Sequence, residues 1–129
     1  MAVFAAAAPP LQPLVRGAVA IALTRETDYL TPPDPARRSP AVKLDEKGRI
    51  LLYPALDMLG PVPIAIIQST RDSYISSAES RRLMGPDAPT RRLYEIEARN
   101  HSFGGARDRM LRSLDEALDW ILKTGHGPR

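Results

Sequence analysis

Two ionisable side chains of the 129-residue chain follow segments that are patterned as strands. Asp72 comes four residues after Gln68, near the end of the apolar run 63–69, and His101 comes just after the alternating segment 91–97. The carboxyl ends of neighbouring parallel strands lie about 4.8 Å apart at one edge of a sheet, so side chains that follow them can meet. We therefore expect the Asp72 carboxylate to hydrogen-bond the His101 ring, fix its tautomer and stabilise the imidazolium that forms when the ring accepts a proton.

Each of these residues also has a purely structural interpretation. Asp72 can cap the helix or loop that follows it, and His101 can be an ordinary loop histidine. His126, the other histidine, lies in a glycine-rich tail, where we expect it to be exposed. The two histidines are far apart and lack metal-binding spacing, and the chain has no cysteine, so we expect neither a metal site nor a cofactor.

No serine of the chain has the surroundings of a nucleophile. The nucleophile motif Gly-x-Ser-x-Gly is absent from the sequence. The serines near the two ionisable residues are not framed by glycines on a tight turn; they are Ser73, Ser76, Ser77 and Ser102. Gly104 and Gly105 precede a predicted helix and could admit an anion at its N-terminus, but flexibility behind His101 is the favoured interpretation.

Apolar patterning predicts three strands. The runs 15–23 and 63–69 are almost continuously apolar, which is typical of strands buried on both faces of a parallel sheet. Residues 91–97 alternate, which indicates a strand with one face less buried. Between the first two strands, the proline-rich stretch 31–40 predicts a loop, because proline donates no backbone hydrogen bond.

Shorter elements are predicted between these strands. Residues 42–53 form either a hairpin that turns at Lys47-Gly48 or further loop, and 56–60 form a short helical turn. The Ser76-x-x-Glu79 pattern is a capping box, so a helix should start there and run to about Met84, with Gly85 as its stop.

The C-terminal part of the chain has the spacing of an amphipathic helix. From Ala106, apolar residues recur at helical positions and predict about four turns laid against the sheet; they are Met110, Leu111, Leu114, Ala117, Leu118, Ile121 and Leu122. We expect Trp120 to pack rather than to contact a ligand.

The resulting order of strand, excursion, strand, helix, strand, helix indicates an α/β fold with about three parallel strands and right-handed crossovers. We expect a single domain over residues 1–129. Residues 14–30 form its first strand and loop, 31–60 a proline-rich excursion, and 61–123 the part that carries the Asp72 and His101 loops.

Composition narrows the class of protein. With 43% hydrophobic and 26% charged residues the chain is patterned as a globular domain, and it contains no apolar run long enough to span a membrane. The net charge of +3 comes with 15 acidic residues interspersed among 18 basic ones. We therefore expect no nucleic acid to bind and the arginine pairs to lie on the surface; these are Arg37-Arg38, Arg81-Arg82 and Arg91-Arg92. The apolar stretch Met1–Ala8 has no basic residue before it, which argues against a secretory signal and favours the cytoplasm.

The arrangement around Asp72 and His101 resembles the last third of an α/β-hydrolase. A strand ending in small-x-x-Asp (Ser69 to Asp72) precedes a helix, another strand, the sequence His101-Ser102-Phe103, and an amphipathic helix with a late Trp. The resemblance covers about residues 14–123. Asp72 matches the acid of the family and His101, 29 residues later, matches its histidine, while Ser69 replaces the usual glycine.

The resemblance implies the C-terminal part of a three-layer sandwich and ancestral serine hydrolysis of an ester or related acyl bond. His101 would be the general base and Asp72 its orienting acid. The family's nucleophile elbow is missing, and the alanine-rich stretch Met1–Ala8 is similar to the helix behind that elbow. We therefore expect the chain to begin just after the elbow and to be inactive alone, acting on a small ester or acyl substrate only if upstream residues complete the site.

The missing upstream strands have a second consequence. The strand at 15–23 would lose its neighbour and leave an apolar edge open to pairing with a second copy or a partner chain. The alternative function is therefore that of a non-catalytic interaction or remnant domain that associates through this sheet edge.

Overall fold

The computed structural model describes residues 14–27 and 43–124. In chain order these residues form β1 (Ala18–Ile21), β2 (Glu26–Thr27), β3 (Ile50–Leu51), a 3-10 helix (Pro54–Leu59), β4 (Ile64–Ser69), α1 (Ser77–Met84), β5 (Arg91–Ile96) and α2 (Arg107–Thr124). Four expectations fall outside the described residues: those for Met1–Ala8, the proline-rich loop 31–40, the pair Arg37-Arg38, and His126. No helix of the described ranges is long and apolar enough to cross a membrane.

The predicted α/β fold with a three-stranded parallel sheet is confirmed. The strand order is β1-β4-β5, with Ala18 opposite Ile64 and Ile64 opposite Arg91, and both pairings are parallel. All six residues of β4 are buried, as the continuous apolar run 63–69 predicts for a central strand. The carboxyl ends of β4 and β5 therefore lie side by side, with Ser69 opposite Ile96.

The sheet buries a core on each face. On one face the 3-10 helix and α1 cover β4 through a cluster that includes Leu56, Leu59, Ile64, Ile66 and Met84. On the other face α2 covers the sheet, where Ala117 and Ile121 pack on Ala65. Gly17 is required at this second contact, since a Cβ there would overlap Cγ2 of Ile121.

The predicted hairpin is present in part. Gly48 turns with a φ of +77°, Leu44 bridges Ile50, and the Asp45 carboxylate accepts the backbone N–H groups of Lys47 and Arg49. The same segment also pairs with β2, because Glu26 lies opposite Leu51 in an antiparallel ladder. This second sheet was not predicted.

Several predicted boundaries need correction. The first strand covers 18–21 rather than 15–23, and it ends where Ala22 takes a φ of +57°. The helical turn predicted at 56–60 is the 3-10 helix Pro54–Leu59. The last helix has 18 residues, or about five turns instead of four.

The apolar stripe of α2 is wider than the surface that it buries. Ala117 and Ile121 are buried, as the predicted packing of the helix on the sheet requires, but Leu111, Leu118 and Leu122 remain 45–52% exposed. A three-stranded sheet contacts only a narrow face of a helix, so the leucines at the margin of the stripe stay in solvent.

One of the two hydrogen bonds of the predicted capping box is present at the start of α1. Ser76 Oγ accepts the Glu79 N–H at 3.2 Å, and Gly85, with a φ of +83°, ends the helix as predicted. The Glu79 carboxylate binds Arg82 and Arg25 instead of returning to the cap. The hydrogen bond from Arg82 lowers the pKa of Glu79 to about 2.

Candidate functional site

Two loops at the carboxyl edge of the sheet build the candidate site. The first, residues 70–76, follows β4, and the second, residues 97–106, follows β5. They are joined at their bases, where Thr70 N–H donates to Ile96 O at 3.0 Å and Ser69 Oγ donates to Ala98 O at 3.5 Å. Parallel register alone therefore brings the two loops together.

The structure places Asp72 and His101 in direct contact. Nδ1 of His101 lies 2.6 Å from Oδ2 of Asp72. The Asp72 side chain is 0% exposed, whereas that of His101 is 38% exposed. The carboxylate can only accept, so Nδ1 carries the proton and, in the neutral ring, Nε2 holds the lone pair that can accept another. This is the geometry of a histidine base oriented by a buried acid.

Asp72 also organises its own loop. Its Oδ1 accepts the backbone N–H of Tyr74 at 2.8 Å and that of Ile75 at 3.4 Å, so the loop turns around this oxygen. Its Oδ2 accepts from both His101 and Gln68. The capping interpretation of Asp72 and the histidine-orienting one therefore describe different oxygens of the same carboxylate.

Gln68 is a site residue that the sequence analysis missed. It is fully buried, and its Nε2 donates to Asp72 Oδ2 at 3.0 Å and to Ile75 O at 2.9 Å. Both partners are acceptors, so the amide can be oriented in only one way, and its Oε1 has no partner among the described residues. An amide inside an otherwise apolar buried strand was the signal that could have identified it.

Tyr74 is the second missed residue. Its ring meets that of His101 edge-on, with centroids 4.9 Å apart and an angle of 66° between the planes. The side chain is 66% exposed, which is unusual for a large aromatic residue. The exposed Tyr74 ring therefore lies directly beside the partly exposed His101 ring.

The His101 loop is held by its own hydrogen bonds. Asn100 Oδ1 accepts the N–H groups of Ser102 and Gly104, and Phe103, buried with a φ of +59°, anchors the turn. A Cβ on Gly104 would lie 3.1 Å from the Asn100 amide, and Gly105 has a φ of +76°. The two glycines thus serve close packing and backbone conformation, where the sequence analysis favoured flexibility.

The other candidates do not join the site. In the part of the chain that the structure describes, no serine hydroxyl is hydrogen-bonded to His101, and Ser77 Oγ contacts Glu95 instead. No group of three metal-binding side chains occurs in the same ranges. Trp120 packs beside the Ala65–Ala117 contact, with the Arg92 guanidinium 5.1 Å from its ring centroid.

Comparison of the chain with protein-family models, with curated proteins and with solved structures returned no match.

Proposed function

We propose that Asp72 and His101 form the proton-transfer half of an α/β-hydrolase-like site that cleaves an ester or related acyl bond. His101 is the general base and Asp72 the acid that orients it. The observation that supports this most directly is the 2.6 Å contact between Nδ1 and a fully buried carboxylate, with the rest of the imidazole partly open to solvent.

The pair has a defined part in such a reaction. As a hydroxyl oxygen attacks the acyl carbon, its proton passes to Nε2 of His101, and the Asp72 carboxylate stabilises the resulting imidazolium through Nδ1–H. When the tetrahedral intermediate collapses, Nε2 returns the proton to the departing alkoxide. Among the described residues no serine hydroxyl is hydrogen-bonded to His101, and the proposal takes the attacking hydroxyl from a group that completes the site from outside them.

Hydrolysis of p-nitrophenyl acetate tests the proton-transfer role. The chain is expected not to turn over ordinary esters without a nucleophile, but an activated ester needs little help for its leaving group. His101 acting as a base on water should therefore give a slow, measurable rate with this substrate. We expect His101→Gln to abolish the protein-dependent rate and Asp72→Asn to lower it by at least about tenfold. His126→Gln, the same change at the other histidine, is the matched control and should leave the rate unchanged.

The outcome that contradicts the proposal is equal activity of wild type, His101→Gln and His126→Gln. A fluorophosphonate probe complements the assay, because it labels an activated serine. Absence of labelling together with His101-dependent hydrolysis is expected if the nucleophile lies elsewhere. Labelling of a serine of this chain would show that the nucleophile is within it.

A second candidate function, association through the sheet edge, is favoured by the backbone of β1. Ala18 and Ala22 donate to Pro63 O and Ile67 O of the neighbouring strand, so the backbone groups of Val19 and Ile21 face the other way. In the described ranges β1 has one partner strand, and Ile21 is 44% exposed. An unpaired edge of this kind can accept another strand.

Sedimentation velocity at several protein concentrations tests this second function. We expect concentration-dependent dimers that Val19→Pro disrupts, because proline removes an outward-facing N–H without affecting the bonds to β4. A monomer at every concentration would contradict it.

A further inference from the structure

A groove of about 370 Å³ lies beside the two site loops and is lined by three arginines. Arg71 comes from the loop after β4, Arg99 from the loop after β5, and Arg109 from the first turn of α2. Glu97 is the single acidic residue among the lining residues, which also include Ala98, Gly104 and Gly105. The ionisable residues that line the groove thus carry a net charge of +2.

The guanidinium groups in the groove are available to a ligand. Among the described residues, neither Arg71 nor Arg99 is ion-paired with a carboxylate, whereas Arg81, Arg82 and Arg91 each are. An arginine that already pairs with an acid has little charge to offer another anion. The arginines of the groove retain theirs.

Two of these arginines are held in place by their surroundings. The Arg99 guanidinium lies against the backbone of Gly105, where a Cβ would come within 3.3 Å of Nε. Arg109 Nη2 donates to the Glu97 carbonyl oxygen at 3.0 Å, which leaves its other N–H groups free to bind. The groove is therefore partly preorganised, and ordering it costs less side-chain entropy than ordering three free arginines.

We propose that this groove binds a phosphate group carried by the ligand of the Asp72–His101 site, which rests on the function proposed above. A guanidinium binds phosphate oxygens bidentately, and a net charge of +2 matches a phosphate dianion. Arg71 is the residue next to Asp72, and Arg99 lies two residues before His101. The groove is therefore built from the same two loops that carry the pair, and the proposal places the rest of the ligand along these loops, near His101 and Tyr74.

Titration of the ¹⁵N-labelled chain with inorganic phosphate and with phenyl phosphate at low ionic strength tests the proposal by NMR. We expect saturable shifts at the backbone amides of the groove for both probes. Arg71→Gln and Arg99→Gln should each weaken binding about threefold, the size expected for one exposed charge–charge contact. Arg82→Gln is the matched control, because Arg82 is exposed and paired with Glu79, and it should bind both probes as wild type does.

The two probes also test the link to the pair. Phenyl phosphate, but not inorganic phosphate, should shift the ring signals of His101 and Tyr74. Phenyl phosphate binding that leaves both rings unchanged would overturn that link. Equal binding by the wild type and both groove variants would overturn the site itself.

Two further outcomes separate this inference from others. Arginine-dependent phosphate binding together with no His101-dependent ester hydrolysis would refute the proposed hydrolase function and leave the phosphate groove standing. A DNA duplex that binds more tightly than phenyl phosphate, with a steep salt dependence and loss in the same variants, would overturn the assignment to a small ligand.

Discussion

Replacement of Asp72 by asparagine is the perturbation whose consequences the site geometry defines most closely. The amide that this change introduces can take two orientations. One keeps its oxygen at the Oδ1 position, where it accepts from the N–H groups of Tyr74 and Ile75; the other would direct an NH₂ group at those two donors. The first orientation is favoured, and it places the NH₂ group against Gln68 Nε2 and His101 Nδ1.

This orientation leaves the Gln68 donor without its acceptor. The Gln68 amide cannot turn over to correct this, because its Nε2 also donates to Ile75 O. A buried donor left unpaired costs about 1–3 kcal/mol, and the backbone hydrogen bonds to Oδ1 lose their charge-assisted part. We expect Asp72→Asn to reduce the free energy of unfolding by about 3 kcal/mol, measured by urea denaturation.

The same orientation changes the tautomer of His101. An NH₂ group facing Nδ1 needs an acceptor there, so the ring proton moves to Nε2. In this tautomer Nε2 has no lone pair, so the ring acts as a base only through its minor tautomer, which agrees with the loss of at least about tenfold expected in ester hydrolysis. Imidazole ¹⁵N shifts at neutral pH distinguish the two tautomers directly.

Gln68→Met provides the control that isolates the unpaired donor. It removes that donor in a side chain of similar length, so the loss of stability caused by Asp72→Asn should be about 1–2 kcal/mol smaller in the Gln68→Met background. Ser80→Ala removes a buried hydrogen bond to Tyr53, so it should lower the free energy of unfolding but leave the effect of Asp72→Asn unchanged. Additive effects of Asp72→Asn and Gln68→Met on the free energy of unfolding would refute the reasoning. So would a ring proton that stays on Nδ1 of His101 in Asp72→Asn.

Three further predictions concern the fold around the site. Gly17→Ala places a Cβ on Cγ2 of Ile121 and should destabilise by roughly 1–3 kcal/mol in urea unfolding; no change would mean that α2 shifts freely. Burial raises the pKa of Tyr53, so its contribution to stability is present below pH 10 and is lost as pH rises through the folded pKa. Tyr53→Phe should therefore unfold with a weaker pH dependence in alkali. The Arg82 guanidinium lowers the pKa of Glu79 from 4.5 to about 2, so the stabilisation by Glu79 is present above pH 4.5 and is lost as pH falls toward 2. Glu79→Gln should show a smaller loss of stability over that range by circular dichroism.

The parallel sheet was predictable because its central strand is buried on both faces. In the run 63–69 the first five residues are apolar without alternation, as expected when helices cover both faces of a strand, and the polar residues Gln68 and Ser69 come only at its carboxyl end. Once the strands were placed, their parallel order set the Asp72 and His101 loops side by side. The contact between these two residues thus followed from local pattern and a general rule of connection.

The features that could not be predicted from the sequence depend on contacts between residues far apart in the chain. The first strand ends at Ala22 because of a positive φ, which alanine rarely adopts and no local pattern indicates. The exposure of Leu111, Leu118 and Leu122 depends on how narrow the sheet is. The role of Gln68 follows from the two acceptors of its amide, Asp72 Oδ2 and Ile75 O, and the sequence alone does not identify them.

The two interpretations of Asp72 are connected by the chemistry of a carboxylate. One oxygen closes the loop after β4 on two backbone N–H groups, and the other meets Gln68 and His101. A residue that only capped the loop would need no buried amide behind its second oxygen and no histidine in front of it. A residue that only oriented the histidine would have to be held by other side chains. Because the loop is built on the same carboxylate, the backbone fixes the position of the histidine's partner, and any change at Asp72 must affect folding and ring orientation together.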